Sequence, residues 1–225
     1  MSAPDIRDRP SRNWSARADG TPIDMMVLHY TGMESADAAL ERLCDANAQV
    51  SAHYLIDEAG AVYQLVDEAK RAWHAGHAAW RGHGDINSRS IGIELANPGH
   101  QFGYCAFPEL QMSALVDLAR DILGRHPIPA RNVVGHSDVA PDRKLDPGEL
   151  FDWPRLAEAG IGLWPETEAD TTEGDTLSLL ADYGYDSSSR HVIAAFQRHF
   201  RPSRIDGVAD DETTAVLRGL IAAAR

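Results

Sequence analysis

The chain has 225 residues, enough for one well-buried core and a small second module. Hydrophobic residues at 44% and charged residues at 24% are an ordinary balance for a soluble globular protein. A formal charge of −13 has the wrong sign for a face that neutralises phosphates, which argues against nucleic acid and against an anionic bilayer as partners. Two cysteines, Cys44 and Cys105, lack CxxC spacing, which excludes a disulfide framework and argues against a thiolate metal site.

Residues 1–22, rich in Arg, Asp, Pro and Ser, read as an extended arm, and they hold no apolar stretch of the kind an export signal needs. The expectation is a cytoplasmic protein without a membrane anchor, or a periplasmic one if a natural leader is missing. MMVLHY predicts a short buried strand ending at His29, followed by a turn at Thr31 and Gly32. Ala38, Leu40 and Leu43 predict a helix from Ser35 to about Ala48, with Cys44 as a small core residue. HYLIDEAGAVYQLVD reads as a hairpin turning at Asp57 to Gly60. SIGIELA is a further strand, and PELQMSALVDLARDILGRH has helical periodicity that stops near His126 and Pro127. NVVGH predicts a strand whose exit carries His136, and DWPRLAEAG a last short helix.

Strands alternating with helices predict an α/β domain over residues 23–160, with a central mixed sheet flanked by helices. Residues 161–174 are acidic and carry no apolar period, and so read as a linker. Residues 175–225 read as a small all-α module: Ile193, Phe196 and Phe200 form one apolar stripe, and Val216, Leu217 and Leu220 another.

The chemistry-bearing residues stand at the ends of apolar runs. His29 and His136 with Asp146 supply two nitrogens and an anionic oxygen, the donor set of an open zinc site. Each alone has a plainer reading: a strand-end histidine is commonly structural, and Asp146 suits a turn at Pro147 and Gly148. Pro141 and Pro147 bar a long helix, so a shaped loop is expected to return Asp146 toward His136. Glu94 interrupts an apolar strand, either as a solvent-facing edge residue or as a carboxylate serving a site, since unpaired burial costs several kcal/mol. Lys144 is a surface lysine or, two residues before Asp146, an oxyanion stabiliser.

Taken jointly, MMVLHYTG, VSAHYLIDEAGAVYQLVDEAKRAWHAG, NSRSIGIELANPG and VVGHSDVAPDRKLDPG resemble the zinc-dependent N-acetylmuramoyl-L-alanine amidases of the phage-lysozyme and peptidoglycan-recognition type over residues 20–155. The resemblance implies that His29, His136 and Asp146 hold Zn2+, that Glu94 is the general base and acid, and that Lys144 polarises the amide. It implies as substrate the bond between the lactyl group of N-acetylmuramic acid and L-alanine, in peptidoglycan or its muropeptide fragments. Trp73, His74, Arg89 and Asn97 are expected along the groove as substrate-binding residues, while His53 is a candidate for burial behind it. His77, His83, His100, His126, His191 and His199 have no partner spacing and are expected at the surface. The C-terminal segment resembles a three-helix peptidoglycan-binding module through Tyr183-Gly184-Tyr185, Ala195-Phe196-Gln197, Phe200, Asp206-Gly207, Asp210 and Thr213, with a helical cap as the alternative. The functional expectation is a monomeric amidase recycling 1,6-anhydro-muropeptides. The alternatives are a broad cell-wall amidase, a non-catalytic recognition protein on the same fold, and a zinc peptidase of the stem.

Overall fold

The computed structural model describes residues 5–165 and 175–224. In chain order the first half runs β1 (Ile6–Asp8), β2 (Trp14–Ala16), β3 (Met25–Tyr30), α1 (Ala36–Cys44), β4 (Tyr54–Ile56), β5 (Val62–Gln64), β6 (Lys70–Ala72), α2 (Ile86–Arg89) and β7 (Ser90–Leu95). The second half runs α3 (Gly99–Phe102), α4 (Glu109–Arg125), β8 (Val133–Gly135), α5 (His136–Val139), α6 (Trp153–Glu158), α7 (Thr176–Tyr183), α8 (Val192–Phe200) and α9 (Asp211–Ala223). No helix among the described residues is long and apolar enough to cross a membrane.

Six strands form a mixed sheet in the order β1-β5-β4-β7-β3-β8. The expected hairpin is present, pairing Tyr54 with Gln64 and Ile56 with Val62. The pairs β4–β7, β7–β3 and β3–β8 are all parallel, so these four strands run the same way, and β3, β7 and β8 carry site residues at their carboxyl ends. Strand alternation sorts the side chains into two layers. Met26, Leu28, Ile91, Ile93 and Val133 face α4 and join Leu115, Leu118 and Ile122 in one apolar cluster. Met25, Val27 and Val134 point the other way.

The N-terminal arm is not a free extension. β1 adds a parallel edge strand beside β5, and β2 pairs antiparallel with β6. Between them Ser11 Oγ donates to the carbonyl of Leu43 and Asn13 Nδ2 to those of Asp45 and Val50, closing the carbonyl-rich end of α1. None of these strands' side chains is buried and each strand is three residues long, so hydrophobic periodicity could not announce them. α1 begins as expected, with Ser35 accepting from the amide of Ala38, but ends at Cys44.

The C-terminal residues form three helices, and these are not held apart as an independent unit. Leu179, Leu180, Tyr183, Phe196, Phe200, Leu217 and Leu220 share one buried cluster with Met25, Val27, Trp80, Ile86 and Val134 of the sheet domain. The amide of Arg81 donates to Gly184 O at 2.7 Å, joining the two backbones. Most of the expected linker, residues 166–174, lies outside the described residues, whereas Trp164 before it packs on both apolar clusters. Several residues that suggested a glycan-binding module maintain its own loop. Gln197 Oε1 accepts from the amides of Asp206 and Gly207, and its Nε2 donates to Asp206, Val208 O and Thr213. Asp210 caps α9 by accepting from the amide of Thr213.

Candidate metal centre and catalytic cleft

The rim formed by the carboxyl ends of β3, β7 and β8 is where open α/β sheets place ligands. His29 and Glu94 are register partners on neighbouring parallel strands, so their side chains rise on the same face. His136 follows β8 immediately and opens the one-turn helix α5, where the sequence led us to expect only irregular loop. Pro141 and Pro147 bar a longer helix, as expected. The turn beyond it brings Asp146 back: the amide of Ser137 donates to Asp146 O at 2.9 Å.

Three donor atoms converge there. His29 Nδ1 stands 2.9 Å from His136 Nδ1 and 2.9 Å from Asp146 Oδ2, and His136 Nδ1 is 3.0 Å from the same oxygen. Among the described residues no other group of three His, Cys, Asp or Glu side chains converges in this way. All three residues are buried.

The hydrogen bonds behind the trio decide its chemistry. His136 Nε2 lies 3.0 Å from Ala75 O, which can only accept, so this nitrogen carries hydrogen and Nδ1 turns a lone pair inward. His29 Nε2 lies 3.0 Å from His74 Nδ1, and His74 Nε2 lies 3.1 Å from Ser90 Oγ, which donates to Ile86 O. Outward hydrogen bonds from both imidazoles are the arrangement that orients metal-ligating histidines. Two inward nitrogens and a carboxylate oxygen fit a tetrahedral cation, whose ligand atoms stand about 3.3 Å apart at zinc–nitrogen distances.

Burial, with the nearby His136 imidazole, lowers the His29 pKa to about 4 despite Asp146, so the ring is neutral at pH 7. Burial alone would raise the Asp146 carboxyl, but the two imidazoles hold it well below the usual carboxylate range. Both residues are therefore in the form that binds a cation.

Glu94 is different. Burial and then the charge of Asp146 push its carboxyl well above the usual range, with Lys144 partly offsetting them. Its Oε2 is buried with no hydrogen-bond partner among the described residues. A carboxyl raised in this way holds a proton more readily than an ordinary carboxylate, which suits it to take and return one.

The trio, Glu94 and Lys144 line one cleft of about 500 Å³, together with Trp73, His74, Arg143, Tyr30 and His100. Trp73 forms part of its wall, with its indole N–H donating to Ser15 Oγ of β2. His74 is not a free groove residue, because its ring nitrogens join His29 to Ser90 and the ring lies against the backbone of β7. A Cβ on Gly92 would come within 2.5 Å of that ring, which explains the glycine in an otherwise full strand.

Two expected groove residues lie elsewhere. Arg89 precedes β7, at the end away from the rim, where its guanidinium grips Asp24 at 2.6 Å. Asn97 is buried inside its own turn, donating to Cys105 O and accepting from the amide of Gly99. His53 is fully buried behind the site, accepting at Nδ1 from the amide of Gly92.

Four of the histidines expected at the surface have side-chain partners, among them His126 beside Glu68 and His191 beside Asp142. His100 lines the cleft, stacking on Tyr104 and contacting Tyr30 and Glu149. His199 is buried against Asp138. No sequence spacing linked these pairs, which the tertiary fold alone brings together.

A profile of the N-acetylmuramoyl-L-alanine amidases matches residues 19–149. The chain belongs to this family. The N-acetylmuramoyl-L-alanine amidase AmiD of Escherichia coli K12 is 43% identical over 92% of this chain and 85% of its own length. A solved complex of AmiD from E. coli with the substrate anhydro-N-acetylmuramic acid-L-Ala-D-gamma-Glu-L-Lys superposes with a TM-score of 0.81 at 41% identity, covering 92% of each chain. AmpDh3 from Pseudomonas aeruginosa, solved with anhydromuramic pentapeptide, superposes with a TM-score of 0.81 at 34% identity, over 92% of this chain and 94% of that one. This amidase thus has the mixed-sheet fold that its sequence led us to expect, and the hydrolase chemistry of its family.

Proposed function

We propose that this amidase is a zinc enzyme that separates the stem peptide from soluble 1,6-anhydro-muropeptides, acting as a monomer in cytoplasmic recycling. The observation that carries the reading is the Glu94 carboxyl, whose Oε2 is buried without a hydrogen-bond partner among the described residues, set on the same strand face as His29 and beside the trio that fits a cation. Held by His29, His136 and Asp146, zinc would supply a Lewis acid for the lactyl carbonyl and an acidified water. Glu94 takes the proton of the attacking water and, as the carbon–nitrogen bond breaks, delivers it to the leaving alanine nitrogen. Lys144, which lines the same cleft, would offer a positive charge to the carbonyl oxygen as it becomes negative. Trp73 offers an apolar wall for the sugar or the first stem residues. Both solved relatives described above hold anhydromuramyl peptides, which supports the soluble substrate.

Product masses test this reading. Purified protein should release free stem peptide from an anhydro-muropeptide, and a chelator should stop it. Equal cleavage of intact sacculi would favour the wall amidase that the C-terminal resemblance suggests, and with it a periplasmic site of action. No cleavage of either substrate would return the recognition-protein reading.

A further inference from the structure

We propose that the C-terminal helices act on the metal centre: Tyr185 and His199, through the buried side chain of Asp138, position the turn that presents His136 and Asp146. The inference rests on the metal-site reading above and adds to it a role for the module that requires no glycan.

Asp138 is fully buried, two residues after one expected ligand and eight before the other. Its Oδ2 accepts from the amide of Gly135 at 2.7 Å, which fixes the exit of β8 where His136 begins. Its remaining bonds reach into the module. Tyr185 donates its hydroxyl to Oδ1 at 2.7 Å, and His199 Nδ1 lies 2.7 Å from Oδ2. Burial and the neighbouring Asp138 carboxyl keep the Tyr185 hydroxyl protonated and therefore a donor. His199 is itself fixed by stacking between Trp153 and Phe200, at ring separations of 3.6 and 3.7 Å.

The turn has no slack to absorb a loose Asp138. A Cβ on Gly135 would fall 2.7 Å from Pro147 Cδ and 3.4 Å from both Asp138 Oδ2 and Asp146 O. The carboxyl thus lies at the crossing of the two segments that carry the ligands. A second tie runs outside it, where Ser189 Oγ donates to Asp142 at 2.8 Å and His191 Nδ1 stands 2.9 Å from the same oxygen. Losing a donor to a buried carboxyl leaves an unsatisfied acceptor, which relaxes by moving the chain around it.

The test uses full-length protein, with zinc affinity measured by competition with a chromophoric chelator and the thermal midpoint measured without metal. Tyr185→Phe removes one hydroxyl and leaves the ring against Trp80 and Phe196. His199→Leu removes the other donor, and His199→Asn restores an N–H near the lost nitrogen. Tyr185→Phe and His199→Leu should each weaken zinc binding about tenfold, the range seen when groups behind metal ligands are removed. His199→Asn should recover most of that loss. Leu217→Ala, buried in the same module without a polar atom, should lower the midpoint and leave zinc affinity within about twofold. Unchanged zinc affinity in Tyr185→Phe and His199→Leu, or an equal loss in Leu217→Ala, would overturn the positioning role. Failure of the unaltered protein to bind zinc would overturn the metal-site reading itself, and this proposal with it.

Discussion

The two faces of the central sheet solve different problems with the same strands. Toward α4, Met26, Leu28, Ile91, Ile93, Tyr54, Ile56 and Val133 meet Leu115, Leu118 and Ile122 in a layer of apolar side chains. On the other face, β7 alternates Ser90, Gly92 and Glu94, and β3 ends in His29. Only the lower part of that face is apolar, where Met25, Val27 and Val134 are covered by the C-terminal helices. One face therefore supplies stability, and the other gives up part of its packing to hold histidines and a carboxylate at the rim. The comparison predicts that substitutions on the two faces fail in different ways.

The largest effects belong to the rim. Asp146→Ala removes one of three converging donors and should lose both metal and turnover, as metal analysis and product release will report. Glu94→Gln should keep its metal and lose about 10²- to 10⁴-fold in turnover, the usual contribution of a positioned general base and acid. A Glu94→Gln enzyme within tenfold of the unaltered rate would break the assignment of that proton to Glu94. On the packed face, Leu118→Ala should cost about 2–5 kcal/mol of stability, the range for truncating a buried leucine. Denaturant unfolding measures that loss, and zinc affinity per folded molecule should not change. A shift in zinc affinity would mean that the faces are mechanically coupled.

This contrast also accounts for what the sequence made legible. α4 and the parallel strands were readable because they bury one continuous apolar surface, and burial writes a period into the chain. His29 and His136 stood out because each is polar at the end of an apolar run, Glu94 because it interrupts one, and Lys144 and Asp146 because they lie between Pro141 and Pro147 in the loop after His136. β1, β2 and β6 left no trace, being three-residue strands defined by backbone pairing rather than by side-chain burial. The misplacement of Arg89 and Asn97 has the same origin. Proximity in sequence to Glu94 put them near the site, but Arg89 stands at the far end of β7 and Asn97 is engaged within its own turn. Nor could spacing show that Asp138, Tyr185 and His199 meet, because 47 and 61 residues separate the partners.

Glu94 also gives the rim a signature in stability. Its folded carboxyl titrates above its unfolded value, so the native state binds the proton more tightly and loses stability as pH rises from the unfolded pKa through the folded one. In metal-free protein, Glu94→Gln should therefore raise the thermal midpoint at neutral pH, with the gain shrinking as pH falls toward the ordinary carboxylate range. A variant less stable than the parent at pH 7 would show that Glu94 makes a stabilising contact in its charged form.

The smallest effect comes from the other face and has the opposite sign. Glu68 accepts from Tyr54 at 2.8 Å and from Arg125 at 2.8 Å, and stands 2.7 Å from His126, tying the end of α4 to the sheet. Burial alone would raise its carboxyl, but the hydrogen bonds from Arg125, His126 and Tyr54 outweigh it and lower the pKa to about 2. Its stabilising contribution is therefore complete above the unfolded carboxylate range and is lost as pH falls through about 2. Because Glu68 and Arg125 are partly solvated, water screens the pair and the contribution is modest. Glu68→Gln should be slightly less stable than the parent at pH 7, and the difference should narrow as pH drops below the usual carboxylate pKa. Opposite pH slopes for the Glu68 and Glu94 variants would show that one carboxyl is held in its charged form to stabilise the fold, and the other kept near its proton for chemistry. Parallel slopes would mean that the two faces do not divide these tasks.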